Sequence, residues 1–74
     1  MKTITATHKK LGIRIKELRK QLEMTQEDLA FQVGVDRSYI GFVERGEKNP
    51  TLSKLTKIAK SLKVSLSGLF NNLH

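Results

Sequence analysis

The sequence predicts an all-α fold, one compact domain of five short helices in which the second and third form a helix-turn-helix. Three observations carry that expectation. Apolar residues recur at intervals of three and four along separate runs, the spacing that gives a helix one buried face. A small oxygen-bearing residue (Thr25, Asp36, Thr51, Ser65) heads each of the last four runs, where it can accept from amides that the first helical turn leaves without partners. Gly34 and Gly46 follow the second and third runs, and glycine most readily takes the left-handed conformation that ends a helix.

Residues 1–6 have no periodic apolar pattern and read as a loose arm; with Lys2 as its only cation the arm has little to offer a DNA minor groove. Thr7 is placed to cap the first helix, whose buried stripe is Leu11, Ile15, Leu18 and Leu22. Gly12 interrupts that helix at a cost on the order of 1 kcal/mol relative to alanine, and close packing against a neighbouring helix is one reason to keep it. Thr25, three residues before Asp28, caps the second helix, which buries Leu29, Ala30 and Val33 and stops at Gly34. Asp36 then caps a third over Arg37 to Arg45, with Ile40 and Val43 inward and Gly46 beyond its end.

Pro50 disfavours a helical conformation at Asn49, so the loop from Glu47 to Pro50 separates the third helix from the fourth. Thr51 caps that fourth helix, which turns Leu55, Ile58, Ala59 and Leu62 inward, has Leu52 in its first turn, and carries Lys54, Lys57 and Lys60 on its other side. Val64 breaks the phase. Ser65 caps a fifth helix through about Asn72, with Leu66, Leu69, Phe70 and Leu73 as apolar positions; Gly68 weakens it, so packing must hold it.

A chain of 74 residues buries only about 60% of the surface its unfolded form exposes, so one small core is all it can build. It has no cysteine and only two histidines, His8 and His74, near opposite ends, which leaves no disulfide, no thiolate metal site and no histidine cluster. No apolar run approaches the roughly 20 residues of a membrane span, and the first residues lack the apolar core of a secretion signal, so a cytoplasmic protein is expected. No nucleophile stands beside a base, the five glycines are too scattered for a phosphate loop, and no sheet offers aromatic stacking for RNA. No enzyme activity, cofactor, metal or small-molecule ligand is expected.

The net charge of +7 and the pI near 10.1 point to a polyanionic partner, although solvated surface lysines account for much of the total. The charge is uneven. Residues 1–24 hold seven basic and two acidic side chains, residues 25–46 two and four, and residues 47–74 five and one. The helix-turn-helix is therefore acidic between basic flanks, which suits a division between base readout by the inserted helix and phosphate attraction by its surroundings.

The run Gln26…Leu29-Ala30…Val33-Gly34-Val35…Ser38-Tyr39-Ile40…Val43-Glu44-Arg45-Gly46 resembles the lambdoid-phage repressor and Cro family, also called the XRE family. The resemblance continues through Asn49-Pro50-Thr51-Leu52 to Leu69-Phe70, and Asp36-Arg37-Ser38-Tyr39-Ile40 is most similar to the controller proteins of restriction-modification systems. It implies a lambda-repressor-like fold and sequence-specific binding of double-stranded DNA by a homodimeric transcriptional regulator, repressor or controller. Arg37, Ser38 and Tyr39 begin the helix that enters the major groove, and Arg37 suits bidentate contact with guanine. Tyr39 can alternatively aim its hydroxyl at a phosphate, and Phe42 either touches a thymine methyl or covers the core edge. Gln26 resembles the family's phosphate contact at the start of the second helix. Asn49 and Thr51, at another helix start, and Arg45 complete the expected phosphate set.

The same resemblance pairs Arg19 with Glu44 in a partly buried ion pair that fixes the angle of the third helix to the first. Leu66, Leu69, Phe70 and Leu73 give the terminal helix more apolar surface than one small core can cover, so a two-fold contact between copies is expected there, with Leu69 and Phe70 alternatively serving as anchors within the chain. Such a dimer sets two reading helices about 34 Å apart and requires a near-palindromic site. Two other readings stay open: an antitoxin-like or adaptor module whose main partner is another protein, and non-specific coating of DNA.

Overall fold

The computed structural model describes residues 6–71. They form five helices: α1 (Ala6–Gln21), α2 (Gln26–Val33), α3 (Arg37–Glu44), α4 (Leu52–Ser61) and α5 (Leu66–Leu69). Each helix contributes one side chain with no exposed surface, Ile15, Leu29, Ile40, Ile58 and Leu69 in order, so the single core is a junction of all five. Fully burying such a side chain is worth about 1.5–3 kcal/mol, and the five together tie even the short elements to the rest.

Local sequence sets the helix limits. The Thr25 hydroxyl accepts from the Asp28 amide and the Asp28 carboxylate accepts from the Thr25 amide, both at 2.9 Å, a reciprocal cap that starts α2. Gly34 ends it at φ 85°, donating its amide to the Ala30 carbonyl at 2.8 Å. The turn of Gly34, Val35 and Asp36 then delivers α3. Thr51 and Ser65 cap α4 and α5 through their hydroxyls, accepting from the amides of Lys54 and Gly68.

The glycine inside α1 marks the closest approach in the fold. A Cβ at Gly12 would overlap the carbonyl oxygen of Glu44 and stand about 2.5 Å from that of Val43, so α1 rests on the backbone of the last turn of α3. Gly46, at φ 75°, continues the contact, since a Cβ there would lie 2.9 Å from Lys9 Cα. These two glycines let α1 and the C-terminal end of α3 meet backbone to backbone.

Several expectations need correction. Ala6 is already helical, so Thr7 lies in the first turn of α1 and does not cap it, while residues 1–5 of the expected arm lie outside the described residues. Leu22 is exposed because α1 stops at Gln21 and the chain turns through Glu23 at φ 57°, which rotates Leu22 off the stripe. Asp36 occupies the N-cap position of α3, but its carboxylate makes no capping bond; its carbonyl accepts from the Tyr39 amide instead. Arg45 is the C-cap of α3 and lies outside the helix proper.

The fifth helix is a single turn ending at Leu69 rather than about Asn72, because the Phe70 amide folds back onto the Ser67 and Gly68 carbonyls. Leu69 is wholly buried and has no surface left for a second copy. Leu66 packs partly against the core and Phe70 remains 39% exposed, while Leu73 lies outside the described residues.

Two outcomes follow. Gly12→Ala destabilises the fold by about 2 kcal/mol despite alanine's higher helix propensity, because the added methyl meets backbone that cannot step aside. Thermal melting should show a drop of about 10 °C, and an unchanged midpoint would mean that α1 and α3 separate at no cost. The second outcome concerns acid. The amide and hydroxyl of Thr25 hold the Asp28 carboxyl below its ordinary value. A depressed folded pKa gives stability that is present above the unfolded value and lost as pH falls through the folded one. The melting advantage of the wild type over Asp28→Asn should therefore shrink between neutrality and about pH 3, and a constant difference would remove the charge from the cap's contribution.

Candidate nucleic-acid interface

The α3 helix is divided along its length. Ile40, Gly41, Val43 and Glu44 are buried, whereas Arg37, Ser38 and Phe42 are exposed, with Arg45 exposed just past the end. This is the geometry of a helix held by one side and offered by the other. Tyr39 is half-buried against the core, and that burial pushes its phenol above the ordinary range, so it stays a neutral hydroxyl at any working pH.

Beneath the exposed face runs a line of polar contacts that joins three helices. Arg19 donates from Nε to Glu44 Oε2 at 2.7 Å and from Nη2 to Glu44 Oε1 at 3.1 Å, a bidentate pair whose side chains are only 8% and 3% exposed. Its remaining Nη1 donates to the Met24 carbonyl at 2.7 Å, which secures the turn before α2. Glu44 Oε1 also accepts from Gln26 Nε2 at 3.0 Å, and Gln26 Oε1 accepts from Arg37 Nη1 at 3.2 Å. Arg19, Glu44, Gln26 and Arg37 thus form one continuous chain from the α1 end to the first residue of α3.

Removing one partner of a buried pair of this kind costs about 3–5 kcal/mol, mostly because the other charge is left buried alone. The Gly12 contact and the Arg19–Glu44 pair act on the same turn of α3, one through backbone and one through side chains. Between them they leave α3 little freedom to tilt.

The other expected contact residues are placed as follows. Arg45 Nε donates to Glu47 Oε1 at 3.0 Å, and its guanidinium lies 5.1 Å from the centre of the Phe42 ring. Lys48 Nζ stands 5.5 Å over the Tyr39 ring. Asn49 and Thr51 are exposed in the loop before α4, where the Thr51 hydroxyl is already used as a cap. Gln26 therefore links Arg37 to Glu44, and Arg45 pairs with Phe42, while Asn49 and Thr51 lie two residues apart in the loop before α4. Leu66 and Phe70 belong to the α5 end and take no part in this face.

Glu47 and Lys48 were not singled out from sequence, although Glu47 touches Arg45 and Lys48 lies over Tyr39, two of the candidate contact residues. The only prior signal was their position, immediately after Gly46, where a tight turn returns the chain toward α3. The tie between Gln26 and Arg37 was also missed; the two are 11 positions apart, and only the turn at Gly34 brings them together.

Comparison with known proteins extends beyond the fold. The HTH_3 helix-turn-helix family matches residues 15–69. An HTH-type transcriptional regulator of Archaeoglobus fulgidus is 46% identical over 57 residues, which are 77% of this chain and 80% of that one. Control protein C.MunI of a Mycoplasma species is 37% identical over 65 residues, 86% of this chain and 88% of its own length. The crystal structure of the restriction-modification controller protein C.AhdI from Aeromonas hydrophila superimposes with a TM-score of 0.86 at 44% identity, covering 89% of this chain and 100% of that one. With a family match that runs from α1 through the end of α5, the chain belongs to the HTH_3 family of XRE-type helix-turn-helix proteins and is a DNA-binding transcriptional regulator.

Proposed function

We propose that the protein acts as a homodimer on near-palindromic duplex DNA, with α3 in the major groove of each half-site, as a controller or repressor. The observation that carries this is the two-sided α3: Arg37, Ser38 and Phe42 exposed over a buried face that a bidentate ion pair holds still. Arg37 reads guanine, while Ser38, Tyr39 and Phe42 contribute the remaining base contacts. Gln26, Asn49, Thr51 and Arg45 position the duplex through phosphates, and the Arg19–Glu44 pair sets the angle of α3. The names of C.MunI and C.AhdI, a control and a controller protein, favour the controller reading.

Leu66 and Phe70, with Leu73, supply the contact between copies, and Leu69 serves as the anchor within each. The protein works in the cytoplasm without catalysis, cofactor or small ligand; no helix among the described residues is long and apolar enough to cross a membrane. A reading in which another protein is the main partner has one observation in its favour, Phe31 on α2, which is 88% exposed.

Selection of bound sequences from random duplexes at fixed salt tests the central claim. The expected result is a two-fold symmetric site preferred by at least about 10³-fold, whereas equal affinity for all sequences would leave only non-specific coating. Arg37→Ala should lose about 1–3 kcal/mol of discrimination at one base pair per half-site. Competition titrations with single-base variants of the site measure this directly, and unchanged preferences would remove Arg37 from the readers. Sedimentation at micromolar protein should show a dimer that Phe70→Lys converts to a folded monomer with weaker operator binding. A wild-type chain that sediments only as a monomer would overturn the proposed interface.

A further inference from the structure

The fifth helix is a single turn, and one turn has too few internal hydrogen bonds to hold its own direction. Its direction comes from contacts with the body. Leu69 is wholly buried, but apolar burial fixes how deep the turn sits without fixing how it is rotated, because the hydrophobic effect has no direction. Arg14 on α1 supplies the direction: its Nη2 donates to the Gly68 carbonyl at 3.1 Å. That carbonyl also accepts from the Asn71 amide at 3.2 Å, so the guanidinium and the chain leaving the turn share one oxygen. The Arg14 Nε is buried with no acceptor among the described residues. An arginine drawn only by solvent would swing outward and give that N–H to water, so the side chain keeps its hold on α5 against a desolvation cost.

Gly68 lies midway between Leu66 and Phe70, the two described residues assigned to the contact between copies. Arg14 therefore holds the contact turn at its centre, from the helix that also carries Gly12 and Arg19, the two attachments of α3. We infer that Arg14 is a positioning residue for half-site spacing: it sets the angle between the contact turn and α3, and with it the separation of half-sites that a dimer accepts. The inference rests on the proposed homodimer. Neighbouring base pairs are about 3.4 Å apart along the duplex, which makes the constraint tight. Across the 20 Å of the molecule's shortest dimension, a swing of about 10° at the turn displaces the far side by about 3.5 Å, one base-pair step. Loose rotation of that size about Leu69 is enough to let one dimer fit two spacings, and the Arg14 bond opposes it.

Arg14→Met removes the donors and keeps an unbranched side chain. Arg14→Gln, too short to reach the Gly68 carbonyl, is the second variant, and melting curves with sedimentation establish that each is a folded dimer. Competition titrations at fixed salt use the selected site, the same site with one base pair added to or removed from its centre, and its single-base variants. The expected result is a wild type that prefers the selected spacing roughly 100-fold and Arg14 variants in which that preference falls roughly tenfold, with single-base preferences and sedimentation unchanged. An intact spacing preference in a folded, dimeric variant would overturn the inference while leaving the dimer standing. Equal weakening at every spacing, or a variant that sediments as a monomer, would reduce Arg14 to a stabilising contact and overturn it as well. A wild type that sediments only as a monomer would sink the dimer itself, and the inference with it.

Discussion

A buried carboxylate is costly to remove from water, and Glu44 recovers that cost only because three donors converge on it, two from Arg19 and one from Gln26. Each donor comes with a constraint. The guanidinium is planar and grips in one plane, so α1 and the last turn of α3 have a fixed mutual orientation. The amide of Gln26 is pinned at the first residue of α2, so the two helices of the motif are locked at both the turn and the open end. Gly34 sets the first of these restraints and Glu44 the second. With only one small core available, such directional contacts give α3 a definite pose that apolar packing alone would leave looser.

The apolar and polar parts of the fold are arranged to support one another. Ile40 and Val43 seat α3 on the core, and Glu44 adjoins them on the same buried side, so the ion pair is roofed by the side chains it helps to align. The close backbone approach at Gly12 brings α1 near enough for Arg19, two turns farther along, to reach across. A bulkier residue at position 12 would hold the helices apart and weaken the pair along with the packing. The glycine that looked like a defect in α1 is thus a condition for the polar chain above it.

Most of the fold could be read from sequence because it is written in local terms. Apolar spacing gave the stripes of α2 and α4 and that of α1 except for Leu22, and the caps at Thr25, Thr51 and Ser65 with the stop at Gly34 are decided within a few residues. Where a competing contact intervenes, local reading fails. Asp36 has the right chemistry for a cap, yet its carbonyl alone serves the first turn of α3. The run from Leu66 to Leu73 reads as a helix of two turns or more, yet the chain closes after one, with Leu69 drawn wholly inward. Among the candidate site residues, Arg37, Ser38 and Phe42 were named through family resemblance, and the structure leaves all three exposed. The Arg19–Glu44 pairing came only through family resemblance, and the link from Gln26 to Arg37 depends on side-chain conformations that no spacing rule encodes.

The short α5 has a further consequence, which comes from its attachment. Arg14 on α1 donates from Nη2 to the Gly68 carbonyl at 3.1 Å, so the terminal turn is fastened to the same helix that carries Gly12 and Arg19. Along one face or another of α1, within two turns, lie the grip on α5 and both grips on α3. A load applied to residues 66–71 is therefore passed to α3 by a single stiff rod. Whatever takes hold of that end holds the angle of the other.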